Sequence, residues 1–105
     1  MAPLIIAHRG DSAHRPENTL ASFASALEQG ADLVEFDIQL IKDGQVVVIH
    51  DATLDRTTSG NGRDADLTFE ELRALDAGQG EQVPTLAELL AVLAESVQLR
   101  CRASG

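Results

Sequence analysis

The sequence predicts an α/β fold assembled from parallel β/α units, on two observations. Short apolar runs at 4–7, 32–40 and 45–49 alternate with stretches whose apolar residues recur at helical spacing, the order in which strand and helix follow each other in parallel units. Two of those runs end in residues with chemistry to offer, His8-Arg9-Gly10 and His50-Asp51. In such folds ligand sites gather at the carboxyl ends of strands.

Each element has its own signal. Leu4-Ile5-Ile6-Ala7 reads as a buried strand delivering His8 to a loop, and 11–16 is polar and closes on Pro16. Helical spacing then begins: Leu20, Phe23, Ala24 and Leu27 share a face, Asn18 suits the N-cap and Gly30 the stop. A second strand is expected over 32–40. Lys42-Asp43-Gly44 then turns the chain back into a further strand over 45–49.

The stretch 52–66 is rich in Thr, Ser, Gly, Asn and Asp without periodicity, so a long surface loop is expected. Thr68 with Glu71, and Thr85 with Glu88, have capping-box spacing and open two packing helices. The second carries Leu86, Leu89, Leu90 and Leu93 as its stripe and runs to about Glu95. A third parallel strand over 97–102 has barely begun before the sequence ends. About two and a half β/α units result, against the eight of a full (β/α)8 barrel.

With 105 residues, the chain is at most one ordinary domain, 1–105. Seventeen Asp and Glu against eight Lys and Arg leave a formal charge of -9, which argues against nucleic acid or an anionic membrane surface as partner. No apolar run reaches bilayer length and 1–7 lacks the form of a secretory signal, so a soluble, cytoplasmic protein is expected. Cys101 is the single cysteine, which excludes an internal disulfide and a cysteine-rich zinc site.

The chemistry centres on Val34-Glu35-Phe36-Asp37-Ile38. Strand side chains alternate, so Glu35 and Asp37 share one face and Val34, Phe36 and Ile38 the other. Two adjacent carboxylates call for a cation or a shared proton unless they lie on a strand's wet side. Carboxylate oxygens favour a hard cation, Mg²⁺ or Ca²⁺, over zinc. His8 and His50, brought by parallel strands to one rim, could accept and donate a proton near neutral pH. Arg9 could hold a phosphate oxygen or pair with an acid such as Glu17 or Asp37. His14, in a polar loop beside Arg15, reads as structural. The constellation fits metal-assisted displacement at a phosphate ester.

His8-Arg9-Gly10, Pro16-Glu17-Asn18-Thr19, Glu35-Phe36-Asp37, Lys42-Asp43-Gly44, Val47-Val48-Ile49-His50-Asp51 and Leu54-Asp55-Arg56-Thr57-Thr58 together resemble the N-terminal part of the glycerophosphodiester phosphodiesterases. The likeness continues through Val83-Pro84-Thr85-Leu86. It implies a (β/α)8 TIM barrel, of which this chain holds the first two to three units, a partial barrel truncated after the start of the third strand. It also implies metal-dependent hydrolysis of glycerophosphodiesters, deacylated lipid headgroup diesters, to glycerol 3-phosphate and an alcohol. By the family's pattern His8 and His50 are the acid/base pair, Arg9 contacts phosphate, and Glu35 and Asp37 bind Mg²⁺ or Ca²⁺. Glu17, Asn18 and Asp51 shape the loops around them.

The sequence departs from that pattern at its end. Where the family carries a third acidic ligand and, two residues on, a phosphate-binding lysine, this chain reads Leu99-Arg100-Cys101-Arg102-Ala103. Two rival readings follow. One is a noncatalytic partial barrel that persists as a homo-oligomer or interaction module, its open sheet edges inviting self-association. The other is a phospholipase-D-like phosphodiesterase, since such toxins share a similar His and Glu-x-Asp layout.

Overall fold

A computed structural model describes residues 5–94 and, for the backbone alone, 100–104. The elements follow in the order β1 (Ile6–His8), α1 (Leu20–Glu28), β2 (Leu33–Leu40), β3 (Val46–Val48), a 3-10 turn (Asp64–Asp66), α2 (Phe69–Arg73), α3 (Leu86–Leu93) and β4 (Arg100–Ser104). All four strands belong to one sheet.

β2 organises the sheet. β1 runs parallel to it, with Ile6 opposite Leu33 and His8 opposite Glu35, and β4 runs parallel to it from Leu33–Arg100 to Asp37–Ser104. β3 pairs with its far end antiparallel, Ile38 with Val48 and Leu40 with Val46. Lys42-Asp43-Gly44 makes the return: Gly44 takes φ +85° and its N–H donates to the Ile41 carbonyl at 3.0 Å. A connection this short permits only an antiparallel partner. The expected third strand is thus present as β4, while residues 97–99, where it was expected to start, lie outside the described residues.

Two apolar clusters hold the chain. In the first, Phe23 and Ala26 of α1, Val34 and Phe36 of β2, Val48, and Leu89 and Leu93 of α3 are buried together. The Phe23 and Phe36 rings meet edge to face, centroids 6.3 Å apart. The second gathers Ile41, Val47, Ile49, Leu54, Leu72, Ala77 and Val83. β3 sends Val48 to one cluster and Val47 and Ile49 to the other, which is why its sequence is an unbroken apolar run.

Several expectations change. β1 is not a buried strand: Ile5 and Ile6 are 56% and 49% exposed, since β1 sits on the flank of the sheet. Asn18 is not the N-cap of α1. Thr19 is, its hydroxyl accepting from the Ser22 N–H and the Ser22 side chain accepting in return. Asn18 has φ 56°, whereas a cap needs extended backbone. The buried face of α1 is Ser22, Phe23 and Ala26, with Ala24 exposed. Leu90 of α3 is likewise outside, at 48% exposure.

The stretch 52–66 is the long surface loop expected, but it is pinned to the core. Leu54 is buried to 1% in the second cluster, its N–H donates to Gly62, and Ser59 donates to Asp76. Both capping boxes form as expected, at Thr68–Glu71 and Thr85–Glu88. The expected end of α3 near Glu95 lies outside the described residues.

Candidate active site

The site forms where β1 and β3 give out along β2. The Arg9 N–H donates to the Glu35 carbonyl at 2.8 Å, and the Ile49 N–H to the Asp37 carbonyl at 3.0 Å. Carbonyls two residues apart on a strand point to the same side, so β1 and β3 lie end to end on one flank of β2 and β4 takes the other. His50 is therefore not delivered by a parallel strand, as expected; an antiparallel return brings it. The outcome is still convergence. The chain leaves the sheet after His8 opposite Glu35, and after Ile49 opposite Asp37, with Phe36 between.

The first exit is held by unusual backbone. Arg9, Gly10 and Asn18 have φ of 57°, 77° and 56°, a region costly to residues with a Cβ. The Asn18 N–H and Ser22 Oγ both donate to the Arg9 carbonyl, at 2.9 and 3.2 Å. Gly10 lies against the start of α1, where an added Cβ would stand 2.8 Å from the Ser22 carbonyl carbon.

This turn aims Arg9 back over β2. Its Nη1 lies 3.3 Å from Glu17 Oε2 and its Nε 3.2 Å from Asp37 Oδ2. The latter is an ion pair without hydrogen-bond alignment, since Nε is buried with no hydrogen-bond partner. Asn18, 3% exposed, donates from Nδ2 to the same Asp37 oxygen at 3.1 Å. Asp37 is buried and Glu35, on the same face by alternation, half-buried. Arg9 thus pairs with both acids that its sequence neighbourhood offered.

At the second exit His50 is exposed, and its Nδ1 is 2.6 Å from Asp51 Oδ1. Arg56 grips Asp51 through Nε at 2.8 Å and Nη2 at 3.1 Å, and Glu17 through Nη1 at 2.7 Å and Nη2 at 2.9 Å. The Arg56 hydrogen bonds, followed by that of His50, hold the Asp51 carboxyl far below the usual carboxylate range. Arg56 also lowers the Glu17 carboxyl, against the opposing effect of burial. Sequence reasoning gave Arg56 no role, although it stands within Leu54-Asp55-Arg56-Thr57-Thr58. Below this network, a cavity of about 10 Å³ is lined by Asn18, His50 and Thr57 among others.

His14 stays in its loop, 2.8 Å from Asp11, as expected of a structural histidine. Among the described residues no three His, Cys, Asp or Glu stand together as a metal group. Across the β2–β4 ladder, Arg102 is in register with Glu35 and Ser104 with Asp37. Clefts of about 330 and 320 Å³ lie along α1 and beside Arg73 and Glu88, not over these residues. No helix among the described residues is long and apolar enough to cross a membrane.

The sequence and the fold are similar to those of proteins of known kind. A glycerophosphodiester phosphodiesterase of Caldanaerobacter subterraneus is 52% identical over 102 residues, covering 90% of this chain and 42% of that protein. The crystal structure of a glycerophosphodiester phosphodiesterase from Agrobacterium tumefaciens superposes with a TM-score of 0.89 at 38% identity, over 97% of this chain and 46% of its own. A phosphodiesterase from Oleispira antarctica, solved in complex with the product sn-glycerol-3-phosphate, superposes with a TM-score of 0.86 at 41% identity, over 96% and 45%. The chain therefore spans somewhat under half the length of these relatives, a partial barrel beside their whole ones. Residues 8–102 match the glycerophosphoryl diester phosphodiesterase family model, and the chain belongs to that family.

Proposed function

We propose that the protein serves metal-dependent hydrolysis of glycerophosphodiesters to glycerol 3-phosphate and an alcohol. The observation that carries this reading is the meeting of β1 and β3 on one flank of β2, which sets His8-Arg9 and His50 on either side of the Glu35–Asp37 face. Arg9 faces the phosphate, its guanidinium already steered by Glu17 and Asp37. One histidine takes the proton of the substrate hydroxyl next to the phosphate as that oxygen bonds to phosphorus. The other protonates the alcohol oxygen as its bond to phosphorus breaks, and water then opens the cyclic diester. The phospholipase-D-like alternative shares these groups and differs in its phosphodiester substrate.

Glu35 and Asp37 would hold the cation, Mg²⁺ or Ca²⁺. Two carboxylates suit a hard ion that draws its remaining ligands from water and phosphate. When bound it would neutralise charge on a phosphate oxygen. The absence of a third acid at the start of β4 predicts weak binding.

A second reading has its own support: Ile5, Ile6, Leu40 and Leu90 are 48–63% exposed, so the chain would act as a homo-oligomer or noncatalytic interaction module. The cytoplasmic setting rests on the sequence reading alone.

The test is release of glycerol 3-phosphate from glycerophosphocholine with and without Mg²⁺ or Ca²⁺. Weak, metal-dependent turnover that disappears in His8→Ala and His50→Ala is expected. Undiminished turnover in both variants would remove the assigned roles. No thermal shift at millimolar Ca²⁺, together with an oligomer in sedimentation, would favour the noncatalytic module.

A further inference from the structure

We propose that Arg56 is a positioning residue for His50: it clamps the Asp51 carboxylate against imidazole Nδ1, so that Nε2 is the ring nitrogen left to exchange a proton with substrate. The inference rests on the role given to His50 above.

A side chain 48% exposed is ordinarily a mobile cation worth little. Arg56 is instead committed. Four of its five N–H donors are spent on two carboxylates, both oxygens of Glu17 and both of Asp51. These acids come from separate loops: Glu17 lies 39 positions before Arg56 and Asp51 five. Only a planar fork can hold both at once; a lysine offers a single point of charge.

The consequence for His50 follows from donor and acceptor chemistry. Asp51 is anionic and can only accept, so at a 2.6 Å separation Nδ1 must carry the hydrogen. An Asp51 released from Arg56 could rotate away and take that constraint with it. On its far side Arg56 is tied through Glu17 to Arg9, and Arg9 to Asp37. Groups of alternating charge thus run unbroken from the His50 loop to β2. Arg56 is the link that sets the distance between the two exits.

The experiment reads the imidazole directly. In the purified chain labelled with ¹⁵N-histidine, long-range ¹⁵N–¹H correlation above the titration range should give His50 as the Nδ1–H tautomer. Arg56→Gln and Arg56→Lys should each lower the ratio of Nδ1–H to Nε2–H by roughly fivefold, the factor one ordinary hydrogen bond is worth. The His14 signal, beside Asp11, should not move, and retained far-UV dichroism should report an intact fold.

An unchanged His50 tautomer in both folded variants would overturn the proposal. Turnover gives an independent reading: positioning predicts a lower kcat with KM nearly unchanged, whereas raised KM with kcat intact would make Arg56 a substrate ligand and overturn it too. Should His50→Ala leave turnover whole, the functional reading falls, yet the tautomer measurement still decides whether Arg56 orients the ring.

Discussion

Substituting Gly10 tests how tightly the site is built onto α1. Gly10 and Gly30 share a left-handed backbone, φ +77° and +76°, so alanine at either bears the same conformational penalty of about 1–2 kcal/mol. Part of it is offset because alanine also restricts the unfolded chain, by about 0.4–1 kcal/mol. Their surroundings differ. Nothing lies within 4 Å of a Cβ at position 30, whereas at position 10 it would stand 2.8 Å from the backbone carbon of Ser22. Relieving that overlap means moving α1 or the turn, a cost of about 1–3 kcal/mol.

Gly30→Ala should therefore cost about 1 kcal/mol and Gly10→Ala about 2–4. At 4–8 °C per kcal/mol for a domain near this size, the two should separate by about 4–24 °C in Tm. The chain has neither tryptophan nor tyrosine, so thermal unfolding would be followed by far-UV circular dichroism. Because the Arg9 carbonyl anchors Asn18 and Ser22, the same substitution should displace Arg9 and lower turnover further than lost stability explains. Equal Tm losses at the two glycines would refute the close approach.

Other expectations are more local. Asn18→Ala, which strips a hydrogen bond from the buried Asp37 and leaves a Cβ in left-handed backbone, should cost about 2–4 kcal/mol in urea unfolding. Asn18→Gly should recover about 1 of those. Leu89→Ala should cost about 2–5 kcal/mol against under about 0.5 for the exposed Leu90→Ala, a contrast that places the seam of α3. Asp51 and Glu17 have carboxyls held below their ordinary values, so their stabilisation is complete above about pH 5 and fades as pH falls below it. Arg56→Gln should flatten that acid limb of a stability–pH curve. Asp64, whose carboxyl burial pushes up, works in the opposite sense and should remain in the variant.

How much of this was legible in the sequence follows from the range of the forces involved. The capping boxes at Thr68 and Thr85, the turn at Gly44 and the shared face of Glu35 and Asp37 are set within a few residues, and all were readable. The Asn18 cap was misread because its deciding partner, Asp37, is 19 positions away. The burial of Leu54 was invisible in a polar stretch, since one leucine has no period. The direction of β3 was implied by its own turn, yet His50 was still assigned to a parallel rim. Arg56 escaped notice because both acids it bridges are ordinary in sequence and meaningful only once folded together.

The same contrast explains how β2 can carry a site at all. Its even residues, Val34 and Phe36, are spent on the first cluster, while on its other face Asp37 meets Arg9, which is tied through Glu17 and Arg56 to Asp51. These charged groups stand where a second apolar layer would otherwise lie, and they hold by alternation of charge rather than by burial of carbon. Such a network is intolerant of losing one member, because each removal leaves a partly desolvated partner uncompensated. Rigidity of this kind is what the proposed phosphodiester chemistry would require of groups that must keep a fixed geometry. It also accounts for the left-handed turns at Arg9 and Asn18, since their strain persists only where surrounding contacts over-determine the backbone.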